Sequence, residues 1–312
     1  MLAKSKVEPS RKKRPASRKN FDILSYNIMM LPGVVLLFIF ATIPLFGLVI
    51  AFQNYVPAKG ILGSKWVGLA NFAYMFLIPD SMQVLSNTVI IAISKILLGI
   101  VVPVIFALLL NEVTNKRFKR IVQTVVYMPH FLSWVILGGM FVSMFSLDGI
   151  INTTLERLGM EKIMFMASNK WFRPILIGTE LWKEFGYGAI IYLAALTAID
   201  PNLYEAASID GAGRWKQLLH VTFPSLVPTI VLMTTLSLGH VLNAGFDQVF
   251  NMYNPLVYRT GDIIDTYVYR MGLVEMQFSL GTAVGLLKSM VSIVLIVLSY
   301  YLANRFAGYR IF

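Results

Sequence analysis

Asp200-Pro201-Asn202-Leu203-Tyr204-Glu205-Ala206-Ala207-Ser208-Ile209-Asp210-Gly211-Ala212-Gly213-Arg214-Trp215-Lys216-Gln217-Leu218-Leu219-His220-Val221-Thr222-Phe223-Pro224 is a polar stretch set between two apolar blocks. Asp200 is a helix-capping residue and Pro201 suits the first helical position. Leu203 to Ile209 predicts one short helix, which Gly211 and Gly213 break. Arg214 to His220 predicts a second, which Pro224 stops. With Glu205 and Asp210 exposed, such a helix–glycine–helix unit is shaped to dock into a groove of another protein.

The flanking blocks set the fold class. The 312 residues are 57 % apolar and only 14 % charged, where soluble domains carry about a quarter charged. Too little polar surface is left to coat a soluble globule of this size. Apolar runs of about 20 to 25 residues match a hydrocarbon core roughly 30 Å thick. They predict six spans, near Ile28–Phe52, Val84–Leu110, Ile121–Phe145, Ile175–Ala198, Leu226–Phe250 and Gly281–Arg305. No ten-residue alternation suggests a barrel, so the spans are helices and the protein is an all-α, polytopic membrane protein. Pro32, Pro44 and Pro103 fall inside spans, where buried membrane helices tolerate proline.

The charge is uneven. The formal net charge is +11, and residues 1 to 19 carry eight Lys or Arg against the single Glu8. Because this run precedes the first span, it reads as a disordered arm that meets anionic membrane lipid; no nucleic-acid partner is implied. The arm is assigned to residues 1–24. By the predicted topology, sixteen Lys/Arg fall on its side of the membrane and eight on the other. That asymmetry places both termini in the cytoplasm. The absence of cysteine removes thiol chemistry, and His130, His220 and His240 show no metal-ligand spacing, so no metal and no bound cofactor are expected.

Here the chain resembles a known family. Glu205-Ala206-Ala207, three residues, Gly211, nine residues, then Val221-Thr222-Phe223-Pro224 is similar to the EAA loop of binding-protein-dependent ABC importer permeases, with Val for Ile and Phe for Leu. Gly186-Tyr187-Gly188-Ala189-Ile190-Ile191-Tyr192-Leu193 and Tyr127-Met128-Pro129-His130-Phe131-Leu132-Ser133-Trp134 resemble the LplB-type branch of carbohydrate permeases. The resemblance covers residues 25–312. It implies a type I importer permease bundle in a bacterial cytoplasmic (inner) membrane, carrying its coupling loop at 200–224. It further implies a second homologous permease subunit, two ATPase subunits that hold ATP and Mg, and an extracytoplasmic solute-binding protein that delivers an oligosaccharide, acidic or complex glycans included. Glu205, Ala206, Ala207, Asp210, Gly211 and Pro224 would couple to an ATPase, with Glu205 pairing with a basic residue there and Gly211 permitting the turn. The chain has no Gly-x4-Gly-Lys-Ser/Thr, Gly-x-Ser-x-Gly or His-Glu-x-x-His, so no enzymatic activity is expected of it.

Polar groups inside spans are costly and mark candidate function. Span four holds Glu180, Lys183 and Glu184, with Lys183 read as neutralised by Glu180. Span five holds His240, Asn243 and Asp247 on one predicted helical face. That stripe suits either a water-filled saccharide path or hydrogen bonding between helices. Trp182 and Tyr187, with Trp134, could stack on sugar faces or serve as packing. Gly281, Gly285 and Ser289 make a small-residue stripe for close helix approach. Two rival classes compete with the importer: a self-sufficient channel or secondary carrier, and an intramembrane enzyme. Neither explains residues 200–224, and no filter motif or inverted repeat supports the former.

Overall fold

The computed structural model describes residues 16–239 and 241–307. The chain is mostly helical, with one two-stranded antiparallel ribbon that pairs Gln53 with Trp66 and Asn54 with Lys65. Among the described residues four helices are long and apolar enough to cross a membrane: Ser25–Phe52, Asp80–Asn111, Arg214–Leu238 and Phe278–Tyr301. The pair Lys116–Phe131 and Trp134–Met144 would make a fifth crossing, bent by 99°. Phe172–Thr197, at 26 residues, is also long enough to span, but its apolar surface is interrupted by Glu180, Lys183 and Glu184.

The first helix begins at Ala16, so Arg18 and Lys19 of the basic arm belong to it; residues 1–15 lie outside the described residues. Its continuation shows how proline shapes these spans. Phe38–Thr42 widens into a π-turn, with the Ile43 N–H bonded to the Phe38 carbonyl, just before Pro44. Leu218–Thr222 does the same before Pro224, with the Phe223 N–H donating to Leu218 O. A proline lacks an N–H and its ring crowds the carbonyl four residues back, and a five-residue step relieves both. Pro224 therefore does not stop the helix that starts at Arg214, as its ring alone predicted; the helix runs on to Leu238.

Two other spans differ from the hydropathy reading. Ile121–Phe145 is not one rod. Pro129 and the extended Leu132 and Ser133 interrupt it, and the Ser133 side chain caps the next helix. Leu226–Phe250 ends at Leu238 and resumes only at Phe246–Met252. Gly239 and Gly245 bracket the break, and hydropathy alone does not register it because Val241, Leu242 and Ala244 inside it are apolar and buried.

Helices Pro79–Asn111 and Phe172–Thr197 run parallel at the centre of the bundle. Their register is fixed at three depths: the Arg173 guanidinium donates to Asn87 Oδ1 at 2.8 Å, Lys95 lies 3.7 Å from Glu180, and Gly188 faces the Pro103 ring. One core cluster joins Ile91, Leu137, Phe172, Leu176, Val249 and Met252; a second, lower down, joins Val104, Ala107, Ala189, Tyr192 and Leu226. Asn87 is fully buried and donates to the carbonyls of Arg259 and Asp262, which ties the 251–280 connection onto the bundle. The small-residue stripe of the last helix packs within the chain: Gly281 lies against the Gly272 backbone, while Gly285 is open.

Candidate functional site

The polar loop forms a V of two helices. Pro201–Ile209 is capped by Asp200, whose carboxylate accepts from the Asn202 N–H. It ends in a Schellman turn: the Ala212 N–H donates to Ala207 O at 2.9 Å and the Gly211 N–H to Ser208 O at 3.1 Å. This geometry places Gly211 at φ +75°, in the left-handed region that only glycine enters freely. Gly213, extended at φ −68°, precedes the rising helix.

A clamp that the sequence did not single out sets the angle of the V. The Gln217 amide donates to Ser208 Oγ at 2.9 Å and to Ala212 O at 3.0 Å, and Tyr204 OH meets Thr222 Oγ1 at 2.9 Å. No sequence signal marks it, since residues 9 and 18 apart on opposite sides of a glycine turn cannot be paired by helical periodicity. No residue of Pro201–Ile209 is buried. Glu205, Ala206 and Asp210 are exposed, Ala207 is half-buried, and no side chain pairs with Glu205 among the described residues. Ile209 is 86 % and Trp215 72 % exposed, so an apolar surface large enough to need covering flanks the free carboxylate.

A second assembly lies inside the bundle. Ala92, Lys95, Glu180, Glu184, Ser237 and Asn243 help line a cavity of about 240 Å³ at the break in the fifth predicted span. Of the predicted path residues, Asn243 and Glu180 reach this cavity. His240 lies outside the described residues. Asn243 and Asp247 do not share one continuous helical face, because the chain between them is unwound; Asp247 is exposed in the first turn of Phe246–Met252. Lys183 does not pair with Glu180. It is buried, and its ammonium donates to Glu184 Oε1 at 2.6 Å and to the His130 carbonyl at 3.0 Å, over the Trp134 ring. Glu180 instead faces Lys95. The i,i+3 pair loses to the neighbouring Glu184 carboxylate and to the His130 carbonyl, which the Met128–Phe131 kink brings within 3.0 Å of the ammonium.

His130, a lone polar residue after Pro129, was not assigned to the path. Its Nδ1 lies 2.7 Å from Glu184 Oε2 and its ring stacks on Tyr187 at 3.8 Å. Trp182 makes an edge contact with Phe141 and is 43 % exposed. Among the described residues no cluster of His, Asp and Glu could hold a metal ion.

The pattern of the family described as "Binding-protein-dependent transport system inner membrane component" matches residues 95–308, which contain the V and every named cavity residue except Ala92. The chain belongs to this family. It is a permease of a binding-protein-dependent ABC importer, an integral membrane protein. The polygalacturonan/rhamnogalacturonan transport system permease protein YteP of Bacillus subtilis is 44 % identical over 280 residues, 89 % of this permease and 87 % of that one. Protein LplB of the same organism is 42 % identical over 280 residues, 89 % and 88 % of the two chains. A chain of a solved bacterial ABC transporter involved in the import of the acidic polysaccharide alginate superposes with a TM-score of 0.85 at 36 % identity, covering 93 % of this permease and 98 % of itself. In a structure of the bacterial alginate ABC transporter in complex with an alginate pentasaccharide-bound periplasmic protein, the match has a TM-score of 0.84 at 35 % identity, covering 94 % and 98 %.

Proposed function

We propose that this permease carries oligosaccharides, acidic ones among them, across a bacterial cytoplasmic membrane, as one of two homologous permease subunits driven by two ATPases and supplied by an extracytoplasmic solute-binding protein. The exposed V at 200–222, with Glu205 unpaired and Ile209 and Trp215 uncovered, is the observation that carries the coupling half of this reading. A groove on an ATPase subunit that brings a basic residue to Glu205 would cover both charge and apolar surface. ATP and Mg belong on that subunit. The substrate half draws on relatives whose names specify polygalacturonan/rhamnogalacturonan and the acidic polysaccharide alginate.

Six spans with both termini cytoplasmic fit the packing. Pro79–Asn111 and Phe172–Thr197 run in the same direction, so the chain returns once between them, and the bent pair Lys116–Met144 supplies that return. The basic cluster Lys116, Arg117, Lys119 and Arg120 then sits on the side the positive-inside rule assigns to the cytoplasm. Saccharide would pass the cavity by Glu180 and Asn243, with Tyr187 and Trp182 as stacking surfaces along the path.

Affinity purification of the permease in gentle detergent from its native cells, with mass spectrometry of the retained chains, tests the assembly. Recovery of an ATPase, a second permease and a solute-binding protein is expected, and the sugar held by that binding protein names the substrate. Recovery of this chain alone, stable and transport-active without ATP, overturns the reading in favour of a self-sufficient channel.

A further inference from the structure

We infer that Lys95 is a positioning residue for passage through the bundle: it holds the unwound residues 241–245 in the shape that puts Asn243 on the cavity wall. Lysine inside a membrane bundle is costly unless its three donors are used. Lys95 donates to Ala244 O at 2.7 Å and to Gln248 Oε1 at 2.5 Å, with Glu180 Oε2 farther away at 3.7 Å. Ala244 lies in the break, where no helix hydrogen bond is available to its carbonyl, and a bare carbonyl at membrane depth needs another donor. Lys95 supplies it.

Gln248 makes the arrangement rigid. It is fully buried, and its amide nitrogen donates to Leu176 O at 2.7 Å and Thr179 Oγ1 at 2.8 Å. Those bonds turn its carbonyl oxygen towards Lys95, so one ammonium joins helices Pro79–Asn111 and Phe172–Thr197 to the break. Gly245 completes the fit. Its φ of +93° favours glycine, and an added Cβ would lie 2.9 Å from Lys95 Nζ, so the ammonium would have to shift from its place against the main chain. Asn243 itself is exposed and no side chain holds it among the described residues. Its place depends on the main chain, and the main chain depends on Lys95.

Glu180 is secondary in this scheme. Its Oε2 is buried without a hydrogen-bond partner, and at 3.7 Å from the ammonium it offers charge, not a bond. A neutral donor at position 95 should therefore rescue much of the function. The break then moves with the two central helices, and the helix that rises from the V bends against it.

The consequence for transport rests on the proposed importer function; the geometry is tested without it. The permease has no cysteine, so Asn243→Cys gives the chain a single thiol. Its rate of reaction with a hydrophilic maleimide is measured in the assembled complex, with no saccharide present, alone and combined with Lys95→Met, Lys95→Gln or Gln248→Leu. Lys95→Met and Gln248→Leu should change the rate by about tenfold or more, and Lys95→Gln by less than about threefold, as expected when a charge-assisted bond is lost or partly replaced. Transport by the cysteine-free Lys95 variants should fall in the same order. An unchanged rate in assembled Lys95→Met, or equal rates for Lys95→Met and Lys95→Gln, would overturn the assignment. If no oligosaccharide is transported but the thiol rates follow the expected order, the positioning role stands and the substrate reading falls.

Discussion

Gly211→Ala is the sharpest test of the V. A left-handed residue with a Cβ costs about 1–2 kcal/mol, and Gly211 sits at φ +75°. The substituted turn can escape this strain by giving up the Schellman geometry. That forfeits the two backbone hydrogen bonds from Gly211 and Ala212, together worth roughly 1–3 kcal/mol at about 0.5–1.5 each. The cheaper route sets the cost, about 1–2 kcal/mol of the docking-competent shape. If docking requires that shape, affinity for the ATPase should fall about five- to thirtyfold. Gly213 is an internal control, because its φ of −68° is open to any residue; Gly213→Ala should be nearly neutral. Gly211→Asn should fall between them, since asparagine enters the left-handed region more readily. The assay is titration of purified ATPase against the permease in nanodiscs, read by bound fraction and by ATP-dependent transport. Equal behaviour of Gly211→Ala and Gly213→Ala would refute the reasoning, because no difference in exposure separates the two sites.

Glu205→Ala should leave folding and membrane insertion intact, as the side chain has no partner within the described chain, yet reduce ATP-coupled transport by about tenfold or more; retained transport would show that the carboxylate is not the docking charge. Lys288 donates to Asp265 at 2.5 Å from a partly buried position, so Lys288→Met should lower thermal stability by about 1–3 kcal/mol. The double variant Lys288→Met with Asp265→Asn should recover most of that loss in detergent unfolding. Tyr253 has its phenol pushed up to about 12, first by burial and then by Tyr258 and Asp262. Between pH 10 and 12 the folded chain thus keeps a proton that the unfolded chain has lost, so this group's contribution to stability falls as pH rises through that window. Phenolate absorbance, compared with Tyr253→Phe, should show one late-titrating tyrosine; an unaltered titration curve would remove that contribution.

Legibility in the sequence followed the length scale of each signal. Runs of apolar residues some twenty long revealed where membrane-depth helices lie, and Glu205-Ala206-Ala207 with Gly211 revealed the V. What escaped were local rearrangements of the backbone. Pro224 reads as a stop until the Leu218–Thr222 π-turn shows how one extra residue per turn absorbs it. The break at 241–245 is invisible to hydropathy, because unwinding a membrane helix keeps its apolar residues buried and only redirects carbonyls. The same redirected carbonyls, at His130 and Ala244, claimed Lys183 and Lys95 and so upset the charge pairing inferred from i,i+3 spacing. Lys95 goes to an orphaned carbonyl and to Gln248 before it goes to Glu180, while Lys183 divides its bonds between Glu184 and the His130 carbonyl. Sequence spacing cannot report that preference without knowing where helices fail.

These failures lie at the two ends of one element. The helix Arg214–Leu238 leaves the V at Gly213 and reaches the cavity-lining break beyond Leu238. At 1.5 Å per residue its 25 residues span about 37 Å, enough to carry a displacement from the V to the cavity. It is not a uniform rod. The π-turn lies in its second turn and Pro228 shortly above, so its lower part is the compliant part, while Ile230 and Met233 above pack against the core that holds Tyr192 and Leu226. A pull on the V would therefore be taken up first by bending near Pro224 and then by rotation of the stiffer upper segment. That rotation ends at a break whose far side is fixed by Lys95 and Gln248. With that far side held, motion applied at Glu205 that outlasts the bend near Pro224 is expected to change the angle between Leu238 and Phe246, at the cavity itself.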